Sequence, residues 1–234
     1  MSKIKVAIQG ELGAYSHIAA ERLYKEADIK TCSTFEETFK QAHNDSSYKI
    51  VIPIENSLAG RVADIHYLLP KYKLQIHGEY FLPVEHNLLA RPEAKIEDIK
   101  YVRSHVQAIS QCQNIISKRK FKPIISVDTA GSAKDLAEGK DKSIAAIASN
   151  LSAKIYDLKI LEKNIEDEKG NVTRFLIMGK NIEQPDYTND KKFITSCIFR
   201  VKSEPSALYK CLGGFATNQV NLTKLESFSV KNTF

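Results

Sequence analysis

The sequence predicts an α/β protein of two lobes built on mixed parallel sheets, followed by a smaller unit. Three observations predict it. Strand-like and helix-like segments alternate from Lys3 to Met178, the pattern of parallel or mixed sheets carrying helices on their faces. A long extended stretch, Glu79 to Ala90, divides that run into two similar blocks. A polar segment from Glu183 to Asp190, with Pro185 and Asn189, then marks a domain boundary.

Lys3–Gln9 reads as a strand that breaks at Gly10, and Tyr15 to Ala27 carries Ile18, Ala19, Leu23 and Ala27 at helical spacing. Thr34 is placed to cap a helix over Phe35–His43, with Glu37 three residues on as in a capping box. Ile50–Ile54 is a strand closing on Glu55-Asn56-Ser57, ahead of a helix from Val62 to Leu69. In the second block, the strand Tyr101–Arg103 stops at Ser104-His105 before a helix through Ile116. The strand Ile124–Val127 stops at Asp128-Thr129 before a helix to Ala137; Ile144–Ala148 is a strand, Asn150 opens a helix and Lys159–Leu161 is a strand. Val172–Met178 is the last strand of the run. Beyond the linker the pattern is a strand (Phe193–Val201), a helix (Ala207–Ala216) and a strand (Leu222–Val230).

Composition narrows the function. Apolar residues make up 43% of the 234 and charged residues 26%, enough apolar surface to offset chain entropy and exclude disorder over most of the length. Apolar runs such as Ile144–Ala148 fall far short of the roughly 20 residues of a membrane span. The net charge of +6 is a modest excess that steers anions. The densest basic run, Lys118–Lys122, has no nucleic-acid motif around it and reads as solvated surface, so no nucleic-acid partner is expected. Cys32, Cys112, Cys197 and Cys211 are widely spaced with no C-x-x-C pair, which signals neither a zinc site nor a disulfide framework. Lys3 and Lys5 lie inside a strand-like run rather than a signal peptide, and the expectation is a cytoplasmic chain with reduced thiols.

In open α/β sheets ligands bind beyond the carboxyl ends of the strands. Those ends collect Gln9-Gly10, Asn56, Ser57, Ser104, His105, Gln107 and Thr129. As a set of neutral donors, several at helix starts, they suit a small, oxygen-rich anion; taken singly, each also serves as a cap or turn residue. Gly10-Glu-Leu-Gly13 is neither a dinucleotide fingerprint nor a P-loop, and no Gly-x-Ser-x-Gly elbow appears. His77 and His86 read as surface or strand histidines, and Glu166-Asp167-Glu168 as a solvated charge run.

Five ordered motifs carry a resemblance. Asn171-Val-Thr173-Arg174-Phe175 resembles the Thr-Arg-Phe signature of prephenate dehydratases, and Ile52-Pro-Ile-Glu-Asn-Ser57, followed by Gly60, is similar to their Pro-Ile-Glu-Asn-Ser motif. Tyr101 to Cys112 resembles Ser-His-Pro-Gln-Ala-x-x-Gln-Cys, with Ser104, His105, Gln107, Ala108, Gln111 and Cys112 retained and Val106 in place of proline. Thr129-Ala130-Gly131 with Ala133, and Ala145–Ser149, fit as well. The glycine loop reads Gly10-Glu-Leu-Gly13-Ala-Tyr-Ser16, losing a hydroxyl at Ala14 but keeping the glycines and Ser16.

The resemblance implies a two-lobed architecture of the periplasmic-binding-protein type II kind: a catalytic domain over 1–182, with lobe 1 at about 1–78 plus 172–182 and lobe 2 at about 79–171, then a linker over 183–190. Residues 191–234 resemble the start of a ferredoxin-like ACT regulatory domain, of which only a partial β-α-β fits. The implied reaction is decarboxylating dehydration of prephenate to phenylpyruvate, water and carbon dioxide, in L-phenylalanine biosynthesis. Aromatisation drives it without a cofactor or metal, and catalysis must supply a proton or hydrogen bond to the departing hydroxyl. The resemblance assigns that hydroxyl donor to Thr173, with Arg174 as a carboxylate fork or a salt bridge holding the lobes, and Phe175 as a wall. Gly10, Gly13, Ser16, Asn56, Ser57, Ser104, His105, Gln107, Thr129 and Ala130 would hold substrate. Ala207, Leu208, Glu226 and Ser227 fall in the two phenylalanine-binding motifs, both altered here, which bears on L-phenylalanine as an effector. A homodimer or homotetramer is implied. Arogenate dehydration, or a non-catalytic two-lobed protein closing on a small anion, stay open as alternatives.

Overall fold

The computed structural model describes residues 3–181, 186, 188–190 and 192–227, with Ala63 described by its backbone only. The chain forms two compact units, residues 1–183 and 184–234.

In the first unit the chain runs β1 (Lys5–Gln9), α1 (Tyr15–Leu23), β2 (Asp28–Cys32), α2 (Phe35–Asn44), β3 (Tyr48–Asn56), β4 (Gly60–Arg61), α3 (Ala63–Tyr72) and β5 (Gln75–Pro83). It then crosses into β6 (Asn87–Ala90), β7 (Tyr101–His105), α4 (Val106–Ser110), α5 (Gln113–Arg119), β8 (Lys122–Ser126), α6 (Thr129–Glu138), β9 (Ile144–Ala148), α7 (Asn150–Ile155) and β10 (Lys159–Glu162), and returns as β11 (Val172–Gly179). The first sheet has the order β2-β1-β3-β11-β5 with β4 against β3, and the second β10-β6-β9-β7-β8. β1 is parallel to β2 and β3, and β7 to β8 and β9, while β11 and β6 run antiparallel.

Side-chain alternation explains why each sheet is covered on both faces. Val6, Ile8, Val51, Phe175 and Ile177 pack on α1, whereas Ala7, Ile50, Ile52, Leu176 and Met178 pack on the side holding Phe39 and Ile65. The second sheet divides likewise, with Val102, Ala145 and Ile147 on one face and Leu89, Ala146 and Ala148 on the other. At α2, Thr34 Oγ1 accepts from Glu37 N (3.1 Å), but Glu37 returns to Ser33 N (3.0 Å) rather than closing the expected box on Thr34.

Several expectations are corrected. The long stretch from Glu79 to Ala90 is two strands in different sheets, and the crossing falls at residues 84–86 because β5 pairs with β11 as far as Pro83. The helix expected to reach Ala27 ends at Leu23, and the polar edge strand β2, exposed along most of its length, follows it. The helix expected through Ile116 is two short ones.

In the second unit only the helix of the expected β-α-β forms among the described residues: α8 (Ala207–Thr217). Residues 193–201 and 222–227 are not strands, and no strand ladder among the described residues includes them. Half of the expected linker (183–185 and 187) and residues 228–230 of the last expected strand lie outside the described residues. Among the described residues no helix is long and apolar enough to cross a membrane.

Candidate active site

The carboxyl end of β1 leads into the glycine loop. Gly10 and Gly13 both have left-handed backbones (φ +95° and +91°), where glycine alone is unstrained. Their amides are taken: Gly10 N donates to Cys32 O (2.9 Å) and Gly13 N to His17 Nδ1 (3.0 Å). The loop is fastened to the other lobe. Gly13 O accepts from Ser149 Oγ (2.6 Å) and Ser152 Oγ (3.1 Å), Tyr156 donates to Leu12 O (2.9 Å), and Lys134 pairs with Glu11 (3.2 Å). Burial pushes the Tyr156 phenol up to about 12, so it stays a donor. Gly13 therefore shapes a contact between lobes, while Gly10 ties the loop to β2 within its own lobe.

The first sheet supplies the hydroxyl. Thr173, the second residue of β11, is buried and lies opposite Asn56 at the end of β3. Asn56 Oδ1 accepts from two backbone amides, Leu58 N (3.0 Å) and Ala59 N (2.8 Å). Backbone N–H groups can only donate, so the amide orientation is fixed. Asn56 Nδ2 must then donate, and it reaches Asn171 Oδ1 (2.6 Å) and Thr173 Oγ1 (3.0 Å). With a lone pair of Thr173 occupied in this way, its hydroxyl proton is free for another acceptor. Ser57 ties the same corner through Ser57 N to Val172 O (2.9 Å) and Val172 N to Ser57 Oγ (2.9 Å).

A chain of polar groups continues from this pair across the crossings between lobes. Asn171 Nδ2 donates to Gln111 Oε1 (2.9 Å), which lies 3.0 Å from His86 Nε2; His86 Nδ1 lies 2.8 Å from the Tyr15 hydroxyl, which reaches Glu85 O at 2.7 Å. Burial holds His86 below its ordinary pKa, with the Gln111 hydrogen bond and Glu166 pulling the other way. Burial also raises the Tyr15 phenol. Glu166, read as solvated, instead accepts from His86 N (3.0 Å). The role of His86 had no signal in local sequence. Gln111 and Asn171 stood inside matched motifs without an assigned role.

The other expected residues are placed differently. Arg174 points away from Thr173, as neighbours in a strand must, and its fork is held by Glu79 of β5 (2.7 and 2.6 Å). That ion pair lies within one sheet and does not bridge the lobes. Phe175 is a core residue, 1% exposed. Ser104 is fully buried and donates to Ile147 O (2.7 Å). His105 caps α4, its Nδ1 accepting from Gln107 N (3.3 Å), and burial lowers its pKa against the opposing charge of Asp128. Gln107 is exposed, Thr129 is half-buried at the start of α6, and Ala130 and Ser16 are buried. Asp128, not Thr129, caps α6, accepting from Gly131 N (2.6 Å). Ala207 and Leu208 open α8, Glu226 pairs with Lys224 (3.2 Å), and Ser227 is exposed. Cavities of about 230 and 340 Å³ adjoin the 83–87 crossing, and Thr173 lines neither.

Comparison with known proteins identifies the family. The prephenate dehydratase family profile matches residues 6–183. A bifunctional N-acyl-homoserine lactone acylase/prephenate dehydratase of Komagataeibacter europaeus is 39% identical, over 98% of this chain and 81% of its own. Arogenate dehydratase/prephenate dehydratase 2 of Arabidopsis thaliana, a chloroplastic protein, is 41% identical over 97% of this chain, which spans 59% of the plant protein's length. A prephenate dehydratase of Arthrobacter aurescens solved with L-Phe has the same fold, with a TM-score of 0.85 at 24% identity over 98% of this chain and 76% of that one. By profile and by relatives, the chain belongs to the prephenate dehydratase family.

Proposed function

We propose that this chain converts prephenate to phenylpyruvate, water and carbon dioxide. The observation that carries the reading is the hydrogen-bond polarity at Thr173: Asn56 donates to Oγ1, so the hydroxyl proton is available to the departing ring oxygen. Hydroxide is a poor leaving group, and a donor aimed at the developing charge acts on the barrier itself. Threonine is too weak an acid to ionise, so Thr173 donates a hydrogen bond or relays a proton. Gln111, whose Oε1 is engaged by Asn171, offers its NH₂ group to the substrate carboxylates or keto group. Ser57, His105, Gln107 and Thr129 are the further polar groups at the strand ends. Arg174 and Phe175 hold β11 in place, the first through Glu79 and the second in the core. Loss of the ring carboxylate as carbon dioxide sends its electron pair through the diene as the hydroxyl leaves, and aromatisation supplies the driving force.

Arogenate, with an amino group where prephenate has a keto group, undergoes the same elimination and is the second substrate considered. Incubating the purified chain with each and following phenylpyruvate and phenylalanine separately decides between them. Prephenate turnover is expected; turnover of neither would refute the reading. Adding L-phenylalanine to the assay tests whether the altered motifs still bind an effector, with loss of inhibition expected. Light scattering tests the homodimer or homotetramer. A cytoplasmic setting fits four free cysteines.

A further inference from the structure

His86 is 3% exposed, belongs to none of the matched motifs, and touches a side chain with each ring nitrogen. Its tautomer follows from the backbone by successive steps. Leu58 N and Ala59 N fix Asn56 Oδ1 as an acceptor, so Asn56 Nδ2 donates and Asn171 Oδ1 accepts. Asn171 Nδ2 must therefore donate, which makes the Gln111 atom it meets Oε1. An oxygen facing His86 Nε2 at 3.0 Å requires a proton on that nitrogen. In the neutral imidazole Nδ1 is then an acceptor, and the single Tyr15 proton is shared between it (2.8 Å) and the Glu85 carbonyl (2.7 Å). Two donors thus converge on Gln111 Oε1, from Asn171 on the return crossing and from His86 on the outward one. Among the described residues nothing accepts from Gln111 Nε2.

We propose that His86 is a positioning residue for Gln111: its Nε2–H holds Gln111 Oε1, so that the NH₂ group stays presented as a double donor to the substrate. The tautomer is set from the Asn56–Asn171–Gln111 side, since Tyr15 has one proton for two acceptors, His86 Nδ1 and Glu85 O. This inference rests on the dehydratase reading for its kinetic consequence and on geometry alone for the tautomer. Without His86, Asn171 is the single donor on Gln111 Oε1, and the amide is free to swing away. The fold should survive replacement by phenylalanine, because Tyr15 keeps the Glu85 carbonyl and Gln111 keeps Asn171.

Two measurements on the full chain test it. Ring ¹⁵N shifts at neutral pH should show His86 with Nε2 protonated and Nδ1 bare; the opposite tautomer, or an imidazolium, would overturn the proposal. In kinetics, His86→Phe should lower kcat about 10- to 100-fold, within the range for general positioning effects. His86→Gln, whose amide nitrogen can replace Nε2, should stay within threefold of wild type. In a Gln111→Ala background, His86→Phe should cost less than a further twofold, because a residue acting through another shows no independent effect. Equal losses in the Phe and Gln variants, additive with Gln111→Ala, would mark His86 as merely structural and overturn the proposal. A wild-type chain inactive on both prephenate and arogenate, yet showing the Nε2–H tautomer, would refute the dehydratase reading and with it the kinetic role. The opposite tautomer in an active chain would refute the positioning role alone.

Discussion

Replacing Gly13 with alanine should open the contact between the lobes. A Cβ on Gly13 would sit 2.5 Å from Ser152 Oγ, 2.8 Å from Ser152 Cα and 3.0 Å from Ser152 N. The last two are backbone atoms, so α7 or the loop must move. An alanine in the left-handed region adds about 1–2 kcal/mol of strain. Movement also loosens the hydrogen bonds from Ser149 and Ser152 to Gly13 O, each contributing about 0.5–1.5 kcal/mol. Together these give about 2–5 kcal/mol of destabilisation, or a fall in Tm of about 5–15 °C for a unit of this size. Gly10→Ala is the internal reference. Its φ is also positive at +95°, but the added Cβ would meet only Ala14 Cβ at 3.7 Å, leaving the strain of about 1–2 kcal/mol by itself. Urea unfolding of both variants measures the difference. A Gly13→Ala chain no less stable than Gly10→Ala would refute the close approach between loop and α7.

Three further outcomes are expected. Asn56→Asp keeps an acceptor for Leu58 N and Ala59 N but cannot donate to Thr173, whose proton then turns to the carboxylate; kcat should fall at least about 100-fold with the circular dichroism unchanged, and a loss under threefold would contradict the polarity assigned here. Ser104→Ala removes the buried hydrogen bond to Ile147 O; it should cost about 1–2 kcal/mol of stability and leave kcat/KM unchanged, whereas a large kinetic loss with full stability would return Ser104 to the substrate. Burial lowers the pKa values of His17, His77, His86 and His105 in the folded chain, so below about 6.5 the unfolded chain binds more protons and stability falls with falling pH. The urea midpoint should therefore drop between pH 7.5 and 5, and by less in His86→Gln; a midpoint that holds or rises would oppose this.

Much of the fold was legible because apolar residues in it recur with the right period. Ile144–Ala148 coincides with β9, whose residues are buried on both faces. β2 was not legible: Asp28-Ile-Lys-Thr-Cys32 is a polar edge strand, held by backbone pairing with β1 that no side-chain pattern records. Of the site, Thr173 and Asn56 were found through their motifs. The opposite orientations of Thr173 and Arg174 could have been read from strand alternation; so could the burial of Ser104 beside Val102, two residues away in β7. The His86 network could not, since its partners are 25 and 71 residues away in sequence. Such contacts arise only when the chain crosses between lobes and returns. Over the described residues beyond 190 the expected strands do not form: their apolar residues match a strand pattern, but no strand ladder among the described residues includes them.

The most direct measurement is phenylpyruvate formation from prephenate by wild type and by Thr173→Val, which keeps the branched shape in β11 and lacks only the hydroxyl. Wild-type turnover with a loss of about 10²–10³ in kcat for the valine variant is the predicted result. A folded valine variant within threefold of wild type would contradict the role of Thr173 as the donor to the leaving oxygen.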